Sequence, residues 1–166
     1  MGKKKSSKTK VVEKFKDPKG DTGKYIQKLT MYCHAVGIEI VYVDTDDKDN
    51  EYLSDGKKRK VTLHPGKNKW TVLACFLHEL GHGWDEVVNP KKFWSEYLVV
   101  TGSSKTERRV ERKLWVIEAE IRAWDYGLLI AKNCQIPVGK WYQHRREKFL
   151  ATYKEASIKA YTKKEV

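Results

Sequence analysis

Only three cysteines occur in the 166 residues, Cys33, Cys75 and Cys134, an odd number without any Cys-x-x-Cys spacing. That argues against a disulfide framework and against a cysteine-built zinc knuckle. Long apolar runs are also missing: none approaches the ~18 residues that a membrane-spanning helix needs. The lysine-rich start is not followed by an apolar signal-peptide core, so the expectation is a soluble, cytoplasmic protein (of the host cell if viral) without a membrane span. There are no internal repeats and no evident helix-turn-helix. The acidic loop 44–50 lacks the glycine and terminal glutamate of a calcium-binding EF-hand, which leaves it as a solvated loop. Acidic residues are outnumbered, 22 against 34 Lys and Arg, for a formal net charge of +12.

Against these absences stands one dense motif, His78-Glu79-Leu80-Gly81-His82, which fits the pattern His-Glu-x-x-His. Histidines four apart lie one above the other on a helix face. Two such imidazoles can take two corners of a zinc tetrahedron, about 2.0–2.1 Å from the metal. Glu79 then points to a neighbouring part of the helix, where its carboxylate reaches a zinc-acidified water as a base. The preceding run Trp70–Leu77 is apolar and free of Gly and Pro, as a largely buried helix requires. A Glu and two His closing such a run are costly to bury unless something pairs with them. Asn68 or Thr71 caps the start, Gly81 and Gly83 allow close backbone approach, and the helix is expected to end near Asp85. Cys75, three residues before His78, reads as a small buried core residue more readily than as part of the site.

The rest of the chain divides by charge. Residues 1–24 hold nine lysines against three acids, and residues 138–166 hold eight basic residues against three acidic ones. The middle, 25–137, balances seventeen against sixteen. Residues 1–23 therefore read as a disordered basic tail, 24–135 as the chemical body and 136–166 as a basic, helical C-terminal extension. Met-Gly-Lys-Lys-Lys-Ser fits an N-myristoylation pattern, but a solvated tail is the simpler reading. Basic ends can also hold a nucleic acid or acidic partner weakly and salt-dependently. Within the body, a helix over Tyr25–Val36 should face Ile26, Leu29, Tyr32 or Cys33 and Val36 inward, and Gly37 should end it. A strand follows at Ile38–Val43, then two short strands around Tyr52-Leu53 and Val61–Leu63 joined by a turn with Gly56 at its bend. His64-Pro65-Gly66 ends the last strand before the motif helix. An edge strand at that entrance can hold an extended peptide by main-chain pairing.

A catalytic zinc takes three protein ligands and keeps one position open. His34, His64 and His144 are further imidazoles, and a long helix at about 106–133 is rich in carboxylates. On it Val110, Leu114, Ile117, Ile121, Trp124, Leu128 and Ala131 recur at steps of three and four and define a core stripe. Glu118 shares its flank with Glu111, Arg122 and Asp125, a solvated face on which Arg122 would ion-pair with it four residues on. Glu120 shares its flank with Val116, Ala123, Gly127 and Ile130, where a carboxylate needs a partner. Ala123 and Gly127 would also let another helix come close. Glu120 is the favoured third ligand; Glu118 and His144 stay open as alternatives.

The motif together with Glu120-Ile121-Arg122-Ala123-Trp124-Asp125-Tyr126-Gly127-Leu128-Leu129 resembles the ImmA/IrrE family of zinc-peptidase-like proteins of phages and mobile elements. That family has a Glu three residues before an Ala, then an aromatic and a small residue, then paired leucines; Trp124 stands where the family usually has Asn. The resemblance spans roughly residues 25–132. It implies a gluzincin-like zinc site with Glu120 as third ligand and one narrow protein substrate, such as a repressor. A SprT-like, DNA-repair-type family shares the His-Glu-x-x-His motif but requires a downstream His ligand.

The expected fold is α+β and zincin-like: a small, mostly antiparallel sheet packed on the motif helix and the long Glu120 helix, with a terminal helix added. The expected activity is hydrolysis of a peptide bond by a zinc metallopeptidase, with His78, His82 and Glu120 as ligands and Glu79 as base. The alternative is a zinc-containing regulatory or nucleic-acid-associated binding protein with little protease activity, using its basic ends and the run Trp141–Arg146. For that run, packing of Trp141, Phe149 and Tyr153 onto the body is the plainer expectation. Tyr126, Tyr142 and His144 are the candidates for stabilising an oxyanion.

Overall fold

The computed structural model describes residues 21–43, 50–64, 68–101 and 109–162, with the backbone alone at 97–101, 109–115 and 156–162. The basic tail to residue 20, the acidic loop 44–49, Pro65-Gly66 and the helix start expected at 106–108 lie outside the described residues, as do the side chains of Val110, Glu111 and Leu114. Among the described residues, five helices and a three-stranded sheet make a mixed α+β fold. Helix α1 spans Thr22–Ala35, three residues earlier than expected, because the Asp21 side chain caps it by accepting from the Gly23 and Lys24 amides at 3.0 and 3.3 Å. It buries Leu29 and Cys33, and Gly37 leaves it with φ +72°. Val36, expected inward, is the exposed cap residue instead.

Strand β1 is Ile38–Tyr42, β2 is Glu51–Ser54 and β3 is Arg59–Leu63. The β2–β3 turn is held by Asp55, whose carboxylate accepts from the Lys57 and Lys58 amides at 2.8 and 2.7 Å, while Gly56 takes φ +80°. The sheet is not mostly antiparallel. Its order is β1-β3-β2, with β3 parallel to β1 (Ile40 opposite Val61) and antiparallel to β2 (Tyr52 opposite Val61). The chain reverses twice, so β3 runs the same way as β1, and inserting it between the other two makes one of its pairings parallel. Among the described residues, β2 is left as an edge.

Helix α2, Lys69–Val88, is capped by Asn68, which accepts from the Trp70 and Thr71 amides. Every residue from Leu73 to Gly81 is buried, and the helix runs one turn beyond the expected Asp85. The stretch after it, for which the sequence offered no element, is helix α3, Pro90–Thr101, with proline in the first turn, where its missing N–H costs nothing. Helices α4, Arg109–Asn133, and α5, Lys140–Thr162, follow.

The sheet packs on α2 and α1, while α4 contacts α2, α3 and α5 but not the sheet. The motif helix is therefore the middle layer, not one of two helices under the sheet. Gly83 faces Tyr52 and Ile38 of the sheet, while Gly81 faces the Ala123 backbone of α4. A Cβ at Gly81 would overlap the Ala123 carbonyl, and one at Gly127 would stand 2.5 Å from the Leu77 carbonyl oxygen. The buried face of α4 is accordingly Ala123, Trp124, Gly127, Ile130 and Ala131, whereas Ile117, Ile121 and Leu128 are half-buried. The stripe is rotated toward the Glu120 flank, because the small residues there admit the α2 backbone. Helix α5 is anchored on the body by Trp141, edge-on to Trp70 at 4.8 Å, and by Tyr142, whose hydroxyl donates to the Trp124 carbonyl at 2.8 Å.

Gly81→Ala should destabilise the protein by about 3 kcal/mol or more in urea unfolding, since no side chain can yield to make room. Gly139→Ala, where the space is open, should stay within about 1 kcal/mol of wild type.

Candidate metal centre

The α2 helix sets His78 and His82 one turn apart, with ring centroids 4.7 Å from each other. The close α2–α4 contact then brings Glu120 to them. Glu120 Oε2 is 3.0 Å from His78 Nε2, and Oε1 is 3.7 Å from His82 Nε2. One donor atom from each of the three residues lies within 4.8 Å of the others. Tetrahedral zinc with bonds of about 2.0–2.1 Å separates its ligand atoms by about 3.3 Å, so the spacing suits such an ion. A second observation points the same way. Glu120 Oε2 is buried, and the 3.0 Å approach of His78 does not satisfy it in hydrogen-bond geometry among the described residues. Two imidazoles and a carboxylate converging without satisfying one another fit a divalent cation of the zinc type.

Glu118, by contrast, has a side chain 59% exposed, 3.6 Å from Lys92. Its expected partner Arg122 is turned inward instead, onto Asp85 and Glu96. His34 and His144 are exposed, and His64 is buried; none of them lines the pocket that holds the cluster. Cys75 is a buried core residue, also outside that lining.

The imidazole of His78 is held by stacking on Trp124, at 4.7 Å and 26°. Its Nδ1 is buried without a hydrogen bond among the described residues, so the ring is oriented by an aromatic face and not by a hydrogen-bonding neighbour. Phe149 of α5 backs Trp124 at 5.7 Å.

Burial dominates the electrostatics. It pushes the Glu79 carboxyl up to about 8; His78 opposes the rise, and the negative charges of Glu120 and Glu51 add to it. Burial also lowers His82 to about 4, helped by the neighbouring His78. For His78 burial again works against the cation, but Glu120 and Glu79 outweigh it and the net direction is up. Glu120 is held below its ordinary value: burial would raise it, but His78, His82 and the Tyr153 hydroxyl favour the carboxylate.

The cluster opens into a pocket of about 370 Å³. Its walls are β2 with the preceding Asn50, Phe93 and Glu96 of α3, Val116 and Ala119 of α4, and Tyr153 of α5. Two of these walls were not legible in the sequence: α3 had no clear apolar period, and Tyr153 was expected only to pack. The proposed oxyanion partners are elsewhere. Tyr142 is spent on the Trp124 carbonyl, Tyr126 accepts from the Asn89 amide at 2.8 Å, and His144 is exposed on α5.

Glu120→Ala should abolish tight zinc binding in a chelator competition, whereas Glu118→Ala should bind as wild type. In metal-free protein, Glu79 has a folded pKa raised above its unfolded value, so its contribution to stability falls as pH rises from about 4.5 through about 8. Glu79→Gln removes that loss, so metal-free Glu79→Gln should unfold at higher urea than wild type at pH 8 and show little difference at pH 4. No family model, no curated protein and no solved structure matches the chain.

Proposed function

We propose that the protein is a zinc-dependent peptidase with a narrow protein substrate, using His78, His82 and Glu120 as ligands and Glu79 as general base. The observation that carries this reading is the convergence of those three donors beside a buried glutamate in an open pocket. A bound zinc ion would supply an acidified water and polarise the substrate carbonyl. Glu79 takes the proton from the attacking water and passes it to the departing amine, and its raised pKa suits a group that must both accept and return a proton near neutral pH. Strand β2 runs along the pocket and, among the described residues, pairs on one edge only, with β3, which supports recognition of an extended peptide by strand addition. Tyr52, at the centre of that edge, spends its hydroxyl on Glu86 at 2.5 Å, and Ser54 donates to the same carboxylate at 2.9 Å, so the strand is tied to α2.

Tyr153 is the pocket hydroxyl best suited to the oxygen that becomes negative during attack, since it already stands by Glu120. The resemblance to the ImmA/IrrE family belongs to the same proposal. Trp124 fits that reading as the stacking support of His78, in the place where the family usually has Asn.

Glu79→Gln should keep zinc at wild-type stoichiometry by elemental analysis and lose peptide cleavage by about 10²-fold or more. Cleavage by that variant at the wild-type rate would sink the mechanism, and purified wild type that takes up no zinc would sink the metal reading. Tyr153→Phe should lower kcat by about 10²-fold while KM changes little.

A further inference from the structure

Beside the candidate ligand set lies a second buried polar cluster that the proposed chemistry does not use. Arg122 presents its Nε to both oxygens of Asp85, at 3.2 and 3.0 Å, and one terminal nitrogen to Asp85 Oδ2 at 2.9 Å. The same terminal nitrogen reaches Glu96. Asn89 completes the arrangement, donating from one amide nitrogen to Asp85 at 2.9 Å and to the Tyr126 hydroxyl. Asp85 is 1% exposed and Glu96 7%. Two buried carboxylates on one guanidinium leave a net negative charge, only partly offset by Lys92 at 3.8 Å from Glu96. Clusters of this kind add little net stability, because desolvation consumes most of the attraction; what they supply is directional geometry.

That geometry spans the same two helices as the metal ligands. Asp85 lies three residues beyond His82 on α2, and Arg122 two residues beyond Glu120 on α4. The glycine contacts at Gly81 and Gly127 set how closely the helices approach, but a backbone-to-backbone contact resists sliding and rotation only weakly. A forked, near-planar guanidinium–carboxylate pair resists both. The terminal nitrogen shared with Asp85 also holds α3, whose Glu96 and Phe93 form a pocket wall. We propose that Arg122, clamped between Asp85 and Glu96, is the positioning residue that keeps Glu120 in register with His78 and His82 and fixes the α3 wall to the same frame. This rests on the metal reading above.

The test is zinc affinity, measured by competition with a chromogenic chelator, beside urea unfolding of the metal-free protein. The proteins are wild type, Arg122→Lys, Arg122→Gln, Asp85→Asn, Glu96→Gln and, as control, Glu118→Gln. Arg122→Lys keeps the charge without the fork and should weaken zinc binding about tenfold or more; Arg122→Gln and Asp85→Asn should weaken it by up to about 100-fold. The double variant Asp85→Asn/Arg122→Gln should bind no worse than the weaker single variant, because the two residues act as a pair. Glu118→Gln should bind as wild type. Variants that lose stability while their folded fraction binds zinc like wild type would overturn the proposal, since the clamp would then be structural alone. Equal weakening by Glu118→Gln would overturn it too. If Arg122→Gln fails to fold, Arg122→Lys and Glu96→Gln decide the matter. A wild type that binds no zinc would bring down the metal reading and this inference together, an outcome distinct from unchanged affinity in the variants.

Discussion

The close contact between α2 and α4 governs the rest of the structure. Gly81 against the Ala123 backbone and Gly127 against the Leu77 carbonyl bring the two helix backbones together with no side chain between them. At ordinary helix separations, two histidines on one helix and a carboxylate on the other would be bridged by water or by long side chains. At this separation a short Glu120 side chain reaches both imidazoles. Trp124, one turn on from Glu120 on α4, then lies flat against His78, and the Tyr142 hydroxyl finds the Trp124 carbonyl. The C-terminal helix is thus anchored to the residue that supports a candidate ligand, and Tyr153 arrives in the pocket by the same route.

The pocket concentrates groups that a core would otherwise reject. Glu79 is driven toward its neutral form and His82 away from its charged form, both chiefly by burial. Glu120 and His78 favour each other's charged states across the 3.0 Å approach of Oε2 to Nε2. Natural sequences break packing rules of this kind mainly where function requires it. A cation in the cluster would pair with Glu120 and keep His82 neutral, relieving the conflicts that burial creates. One turn farther along α2, Asp85 and Glu86 spread to opposite sides, the first to Arg122 on α4 and the second to Tyr52 and Ser54 on β2. The same turn of helix therefore braces both the ligand-bearing helix and the edge strand.

Several elements could be read directly from the residues. Asn68 followed by an apolar run marks the start of α2, and the polar turn with Gly56 marks the β2–β3 hairpin, because capping and turn chemistry are local. Glu120 was separable from Glu118 because its flank neighbours are small or apolar, a property of helical periodicity. Other features had no local signal. The order β1-β3-β2 depends on where the hairpin inserts, and short strands fit several orders equally well. Helix α3 has a weak apolar pattern, and its inward groups, Phe93 and Glu96, are defined by partners distant in sequence. Arg122 lies four residues from Glu118, which suggested an exposed pair; Asp85 and Glu96 outcompete that pair because both are buried and Asp85 offers bidentate geometry.

By itself the sequence determined the two halves of the candidate centre: a helix bearing His78, Glu79 and His82, and a helix with a carboxylate at Glu120 on a face too apolar to leave it alone. Periodicity sets which side chains share a face, and that needs no knowledge of the partner. Only the tertiary structure decided how the halves meet, which walls enclose them and which buried charges hold them in register. Those outcomes depend on pairings such as Gly81 with Ala123 and Asp85 with Arg122. Each joins residues about forty apart in the chain, and each is set by which surfaces fit when the layers close.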